Sequence, residues 1–203
     1  MKSAMPFHGV SASVQSRLFK ECFATHPLPD RAAYEAAILT LWDDATHREE
    51  RYAAIALARF RRYAPWRDVE SLRLDDHLVV TGAWWDYVDV VAAHLVGPVL
   101  RADPAGARPI VLDWSVDDDI WRRRTAILSQ LSAKAATDTD LLVACIEPSL
   151  ERREFWLRKA IGWSLRSYAY TDPDWVVDYV TTHRDRLSPL SFREATKHLT
   201  LAP

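Results

Sequence analysis

Apolar positions recur every three to four residues through most of the chain, in stretches parted by short polar segments. That period is helical, and it predicts helices over 14–25, 31–43, 47–63, 74–81, 84–101, 105–114, 118–135, 139–147, 151–169, 173–185 and 191–200. Several starts carry capping chemistry. Thr46-His47-Arg48-Glu49 and Ser191-Phe192-Arg193-Glu194 have the form of capping boxes, and Thr171-Asp172-Pro173 sets a capping side chain just before a proline. No stretch alternates with period two over a useful length, so no sheet is expected. The pattern predicts an all-α chain.

The helices also repeat. An arginine followed within three residues by alanine recurs at Arg51–Ala54, Arg123–Ala126, Arg158–Ala160 and Arg193–Ala195. Anchored on Ala54, Ala126, Ala160 and Ala195, the separations are 72, 34 and 35, and the first is two steps of 36 with Val90 at its midpoint. A period near 35 belongs to an α-solenoid of stacked helix pairs, because no single pair can bury its own apolar face. A single domain over 1–203 is expected, with the second helices lining a concave wall.

Within that frame the segment Ala83-Trp84-Trp85-Asp86-Tyr87-Val88-Asp89-Val90-Val91 carries candidate chemistry. Trp85 and Asp89 are four apart and share a helix face, while Trp84, Val88 and Val91 fall on another and read as core. An indole beside a carboxylate suits a positively charged, sugar-like centre. Residues in matching slots of successive repeats project onto one surface, which places Asp89 and Trp85 with Arg124 and then Arg158, with Arg51 and Arg193 further out. Trp163 has Lys159 and Arg166 on its own face. Such a ladder of cations, with Arg123 beside it, can track a row of phosphates.

Composition adds limits. Hydrophobic residues make up 49% and charged residues 27%, as in an ordinary globular protein. The net charge of −2 does not advertise nucleic-acid binding, but it hides clusters: Arg122-Arg123-Arg124, Arg152-Arg153 and Arg61-Arg62 against Asp117-Asp118-Asp119. Met1-Lys2-Ser3-Ala4-Met5-Pro6 lacks a signal-peptide core, and no apolar run reaches membrane length. Cys22 and Cys145 give neither a disulfide framework nor metal spacing, so a reducing cytoplasm is expected. The seven histidines (His8, His26, His47, His77, His94, His183 and His198) show no paired ligand spacing. Neither a phosphate-binding glycine loop nor a serine nucleophile elbow is present. No metal or organic cofactor is expected.

At these residues the chain resembles a known family. Trp84-Trp85-Asp86-Tyr87-Val88-Asp89, Ile120-Trp121-Arg122-Arg123-Arg124-Thr125-Ala126-Ile127-Leu128 and Lys159-Ala160-Ile161-Gly162-Trp163-Ser164-Leu165-Arg166 are similar to segments of the AlkD-type DNA alkylation repair enzymes, HEAT-like-repeat DNA glycosylases. The likeness extends to His26-Pro27-Leu28-Pro29-Asp30, Leu41-Trp42-Asp43 and Pro189-Leu190-Ser191-Phe192-Arg193-Glu194-Ala195-Thr196-Lys197-His198. The resemblance implies excision of positively charged N3- or N7-alkylated purines from double-stranded DNA by a monomeric, cytoplasmic enzyme that meets the nucleoid when engaged. It assigns the catalytic carboxylate to Asp89, the lesion-contacting indoles to Trp85 and Trp163, the active-site arginine near the DNA backbone to Arg124, and a neighbouring backbone contact to Arg166. The family carries roughly another helix or more ahead of the segment matching Phe7-His8-Gly9-Val10. Either the start is misassigned or trimmed, or the N-terminal cap is shortened, in which case apolar surface exposed on the first helix pair is expected.

An alkylpurine that is already cationic leaves without a proton donor, so the barrier lies in the oxocarbenium character of the deoxyribose. One fixed carboxylate near C1′ and two electron-rich indoles address that barrier, with Arg124 holding the adjoining phosphate. An open concave wall offers no pocket for an extruded base, so action without base flipping is expected. A non-catalytic DNA- or protein-binding scaffold would also account for the repeats and cations, though not for a carboxylate in a phosphate-binding groove. A self-resistance glycosylase for bulky natural-product adducts is the other alternative.

Overall fold

In the computed structural model residues 5–200 are described; the first four residues of the Met1–Pro6 segment and the last three of the chain lie outside them. The described residues contain no strand. Twelve α-helices follow in order: α1 (Ala12–Thr25), α2 (Arg31–Asp43), α3 (Arg48–Ala58), α4 (Leu72–Gly82), α5 (Trp85–Val91), α6 (Gly97–Ala102), α7 (Pro104–Val116), α8 (Ile120–Leu128), α9 (Thr139–Ile146), α10 (Phe155–Ala169), α11 (Pro173–Thr182) and α12 (Pro189–Ala195).

They stack in two rows. α1, α3, α5, α8, α10 and α12 form one row, each packed on the next. Behind them α2 backs α3, α4 backs α5 and α8, α7 and α9 back α8, and α11 backs α10. This is the α-solenoid that the repeat implied. Ala54, Ala126, Ala160 and Ala195 are all buried and all lie on the first row. The expected midpoint, Val90, is only half-buried, and its neighbour Val91 is buried completely.

Aspartates start five of the twelve α-helices. Asp30, Asp103, Asp119, Asp138 and Asp172 each accept a backbone N–H of the first turn that has no partner inside the helix. Both expected capping boxes are displaced. At α3 the N-cap is His47, and Glu50 rather than Glu49 accepts its N–H at 3.1 Å. At α12 the cap is Ser188, whose Oγ accepts the Ser191 N–H at 3.0 Å, so Ser191 lies inside the helix. Asp172 caps α11 as expected.

Several predicted helices are shorter or interrupted. The 47–63 stretch ends at Ala58 and gives way to a 3-10 turn over Arg61–Trp66 that contains Pro65. The 118–135 stretch ends at Leu128, where the Ser129 hydroxyl donates to the Ala126 carbonyl and competes with the helical ladder. The 84–101 stretch is continuous but widens into a π-turn over Ala92–Val96. Pro98 has no N–H for the His94 carbonyl and its ring would collide there; the wider turn relieves both faults.

The apolar core forms two clusters, one built mainly from α2 to α7 and one mainly from α9 to α12. α8 lies across their junction, with Trp121 and Ala126 in the first cluster and Ile127 and Leu128 in the second. α1 buries none of its side chains fully, and Val14 and Leu18 are exposed. No helix among the described residues is long and apolar enough to cross a membrane.

Candidate active site

A left-handed residue sets up the site. Ala83 caps α4 with φ 41° and turns the chain abruptly into α5. Trp84 is the half-buried N-cap of α5, and Trp85 begins the helix with its indole 42% exposed. One turn on, Asp89 is buried, yet its side chain lines an open cleft of about 560 Å³ together with Trp85. The remaining lining comes from Arg124 of α8, from Phe155, Trp156, Lys159, Trp163 and Arg166 of α10, and from Glu194 of α12. Every wall of the cleft therefore belongs to the first row.

Four of these residues stand a strict thirty-five positions apart: Asp89, Arg124, Lys159 and Glu194. They pair in two ion pairs of opposite order. Arg124 donates from Nε to Asp89 Oδ1 at 2.7 Å and from Nη2 to Oδ2 at 2.9 Å, a two-pronged clamp. Its Nη1 donates to the Trp156 carbonyl. Lys159 Nζ lies 2.9 Å from Glu194 Oε1, and Arg166 Nη1 lies 2.5 Å from Oε2. The cleft holds three cations and two carboxylates.

Burial raises the Asp89 carboxyl above the ordinary 3.8, with the Arg124 clamp opposing that rise and Asp86 adding to it. The Glu194 carboxyl moves the other way, lowered first by the hydrogen bond from Lys159 and also by Arg166. Glu194 is thus held as an anion, and Asp89 is an anion that costs energy to keep. Asp86 lies outside the cleft, where Arg48 donates to it and the Tyr52 hydroxyl donates at 2.8 Å.

The aromatic lining is stacked. Trp156 lies against Trp85 with ring centres 6.3 Å apart and nearly parallel planes, and it also meets Trp84, Trp121 and Phe155. Phe155 is half-exposed at the rim.

The structure gathers Asp89, Trp85, Trp163, Arg124, Lys159 and Arg166 into this cleft and leaves the other four expected residues out. Arg123 is buried, and its guanidinium donates to the carbonyls of Ser115, Val116, Asp117 and Pro148, where it serves the end of α7 rather than DNA. Arg158 points the same way as Arg123, donating to the Arg152 carbonyl at 3.2 Å. Arg51 lies over the Trp42 ring at 4.7 Å. Arg193 is exposed, but α12 turns its neighbour Glu194 to the cleft instead. The step of thirty-five explains these misses: alanine anchors spaced 34 apart shift the register by one, so Arg158 falls on Arg123 and Lys159 on Arg124.

The Arg124 guanidinium donates to both Asp89 oxygens and to the Trp156 carbonyl, so it orients the carboxylate while still lining the cleft. Phe155, Trp156 and Glu194 were not singled out from the sequence. Phe155, Lys159, Trp163 and Arg166 form an i, i+4, i+8, i+11 stripe, a signal that was present for Phe155. Nothing local marks Glu194, whose partners lie 28 and 35 residues earlier.

Fold and site together define a class: a helical-repeat protein whose row of inner helices presents a clamped carboxylate among indoles and cations. Comparison with known proteins narrows the class. The profile of the DNA alkylation repair enzyme family matches residues 1–199. A solved structure described as a predicted DNA alkylation repair enzyme from Enterococcus faecalis superimposes with a TM-score of 0.84 at 31% sequence identity, covering 98% of this chain and 90% of that one. No curated protein matches the chain. The chain belongs to the DNA alkylation repair enzyme family, and DNA is the partner which that membership implies.

Proposed function

We propose that this protein is a DNA glycosylase that hydrolyses the N-glycosidic bond of positively charged N3- or N7-alkylated purines in duplex DNA. The observation that carries the reading is Asp89, a buried carboxylate fixed by two hydrogen bonds from Arg124 and open to a cleft lined by Trp85 and Trp163. Departure of a cationic purine leaves an oxocarbenium-like sugar, the type of transition state met in glycoside hydrolysis. A carboxylate at about 4 Å in an effective dielectric of ~20 attracts such a centre by roughly 4 kcal/mol, on the order of a thousandfold in rate. Arg124 offsets part of that attraction, so the figure is a ceiling. In exchange Arg124 fixes the carboxylate in advance, and no reorganisation is needed as charge develops. Trp85 and Trp163 add cation–π stabilisation of about 1–2 kcal/mol in a desolvated cleft.

Leaving-group chemistry supports the restriction to charged bases. Glu194 is the other carboxyl in the cleft among the described residues, and Lys159 and Arg166 hold it ionised. It cannot hand a proton to a neutral purine at neutral pH. The cleft is also open, which favours action on a base that is not extruded into an enclosing pocket.

The test is release of 7-methylguanine from methylated duplex DNA, followed by mass spectrometry. Asp89→Asn is expected to abolish release while leaving duplex binding within a few-fold. Undiminished release would remove the role of Asp89, and wild-type binding without any release would leave a scaffold.

A further inference from the structure

Residues 5–11 run without helix and are strapped across the first turn of α3. The strap is held by its backbone. Arg48 N–H donates to the Pro6 carbonyl at 3.0 Å, and the Glu49 carboxylate accepts the N–H groups of His8, Gly9 and Val10 at 3.0, 2.9 and 3.3 Å. Gly9 makes this wrap possible with φ +83°, a conformation open to glycine. The result delivers His8 to the two side chains that open α3. His8 Nε2 lies 2.9 Å from Glu50 Oε1, His47 Nδ1 lies 3.7 Å from the same oxygen, and the two imidazoles lie parallel with centres 3.7 Å apart. One donor atom from each of the three residues falls within 4.8 Å of the other two.

We infer that His8, His47 and Glu50 bind one divalent transition-metal ion of the Zn²⁺ or Ni²⁺ type, which rivets the N-terminal strap to α3. Two imidazole nitrogens and one carboxylate oxygen are the donor set of borderline cations, not of Mg²⁺ or Ca²⁺. Metal–nitrogen bonds near 2.0–2.1 Å put tetrahedral donor atoms about 3.3 Å apart. The present 2.9 and 3.7 Å bracket that spacing. Closure needs the two rings to turn out of their stack, because an ion lies in the plane of each imidazole that binds it, with the metal replacing the His8–Glu50 hydrogen bond and the contact between Thr46 Oγ1 and His47 Nδ1. Glu50 Oε2 accepts the backbone N–H groups of Thr46 and His47, which fixes the carboxylate and turns Oε1 toward the two imidazoles. A cation at a helix N-terminus meets an unfavourable dipole, and Glu49 and Glu50 supply the countercharge.

The site lies outside the cleft and does not depend on the glycosylase reading. It has a mechanical consequence nevertheless. α3 also carries Arg48 and Tyr52, which hold Asp86 on the same helix as Asp89. Metal occupancy would brace one wall of the cleft through that connection.

The experiment is titration of the intact protein with Zn²⁺, followed by calorimetry and thermal denaturation, and with Co²⁺, followed by visible absorption. About one equivalent is expected to bind, to raise the denaturation midpoint by several degrees, and to give a Co²⁺ spectrum of imidazole ligation. His8→Ala and His47→Ala should each lose the metal-dependent rise while keeping wild-type helical content, with His47→Ala also lowering the metal-free midpoint through the lost cap. His77→Ala, which alters a histidine paired with Asp43 elsewhere, should keep it. Absence of saturable binding at sub-millimolar Zn²⁺, or a rise that survives in His47→Ala, overturns the proposal.

Discussion

Asp89 and Arg124 are each too buried to be charged alone. Removing one member of such a pair leaves an uncompensated charge, typically at a cost of about 3–5 kcal/mol. Arg124→Ala is accordingly expected to be among the most destabilising single substitutions in the chain, read from urea or guanidinium denaturation. Asp89→Asn combined with Arg124→Gln should recover a large share of the loss. The same burial sets a pH dependence. Because the folded-state pKa of Asp89 lies above its ordinary 3.8, its ionisation is lost early as pH falls. Base release should therefore decline at pH values where a solvent-exposed carboxylate would still be charged, against a no-enzyme control for acid depurination. Glu194 predicts the reverse kind of effect. It occupies Lys159 and Arg166, so Glu194→Gln should free two cations, tighten duplex binding several-fold and steepen its salt dependence; weaker binding would show that Glu194 holds those side chains in place for DNA.

At the level of elements, the cleft depends on how closely helices approach. α12 lies against α10 at Gly162, where an added Cβ would stand 2.5 Å from Glu194 Cβ and 2.7 Å from the Ser191 carbonyl oxygen. Gly162→Ala should push α12 away, weaken both Glu194 ion pairs and destabilise the protein by about 1–3 kcal/mol through overpacking, measured by denaturation. The start of α6 approaches the end of α8 at Gly97, where an added Cβ would lie 2.4 Å from the Ser129 carbonyl oxygen. The turn before α5 works in the opposite sense: Ala83 adopts a left-handed conformation that glycine would occupy at less cost. Ala83→Gly should be neutral or stabilising by up to about 1 kcal/mol, with base release retained. Much at this scale was legible, because aspartate before an apolar-periodic stretch is a local signal. The displaced caps at His47 and Ser188 were not, since the local pattern offers Glu49 and Glu194 as cap partners while the fold takes both for distant contacts.

Across the whole molecule the row of helices converts a sequence period into a column of charge. Asp89, Arg124, Lys159 and Glu194 hold one slot in four successive turns of the solenoid, and with the cations in the middle each carboxylate pairs with its neighbour. The expected free ladder of cations is therefore a partly neutralised one. On the proposed function, this limits nonspecific DNA affinity, in keeping with a net charge of −2, and leaves discrimination to the lesion's own positive charge. Neutral lesions of matched size should be released far more slowly than cationic ones in a substrate panel.

The sequence by itself determined the all-α class, the period near thirty-five and the face shared by Trp85 and Asp89, because helical spacing fixes which residues within one helix are neighbours. It also fixed the aspartate caps, which act within three residues. Only the tertiary structure decided that Arg124 grips Asp89, that Arg123 and Arg158 turn away to carbonyls, that Glu194 closes on Lys159, and that His8 meets His47. Each of those choices depends on a one-residue register between helices, and that register is set by packing at positions such as Val91 and Gly162, where no local rule reaches.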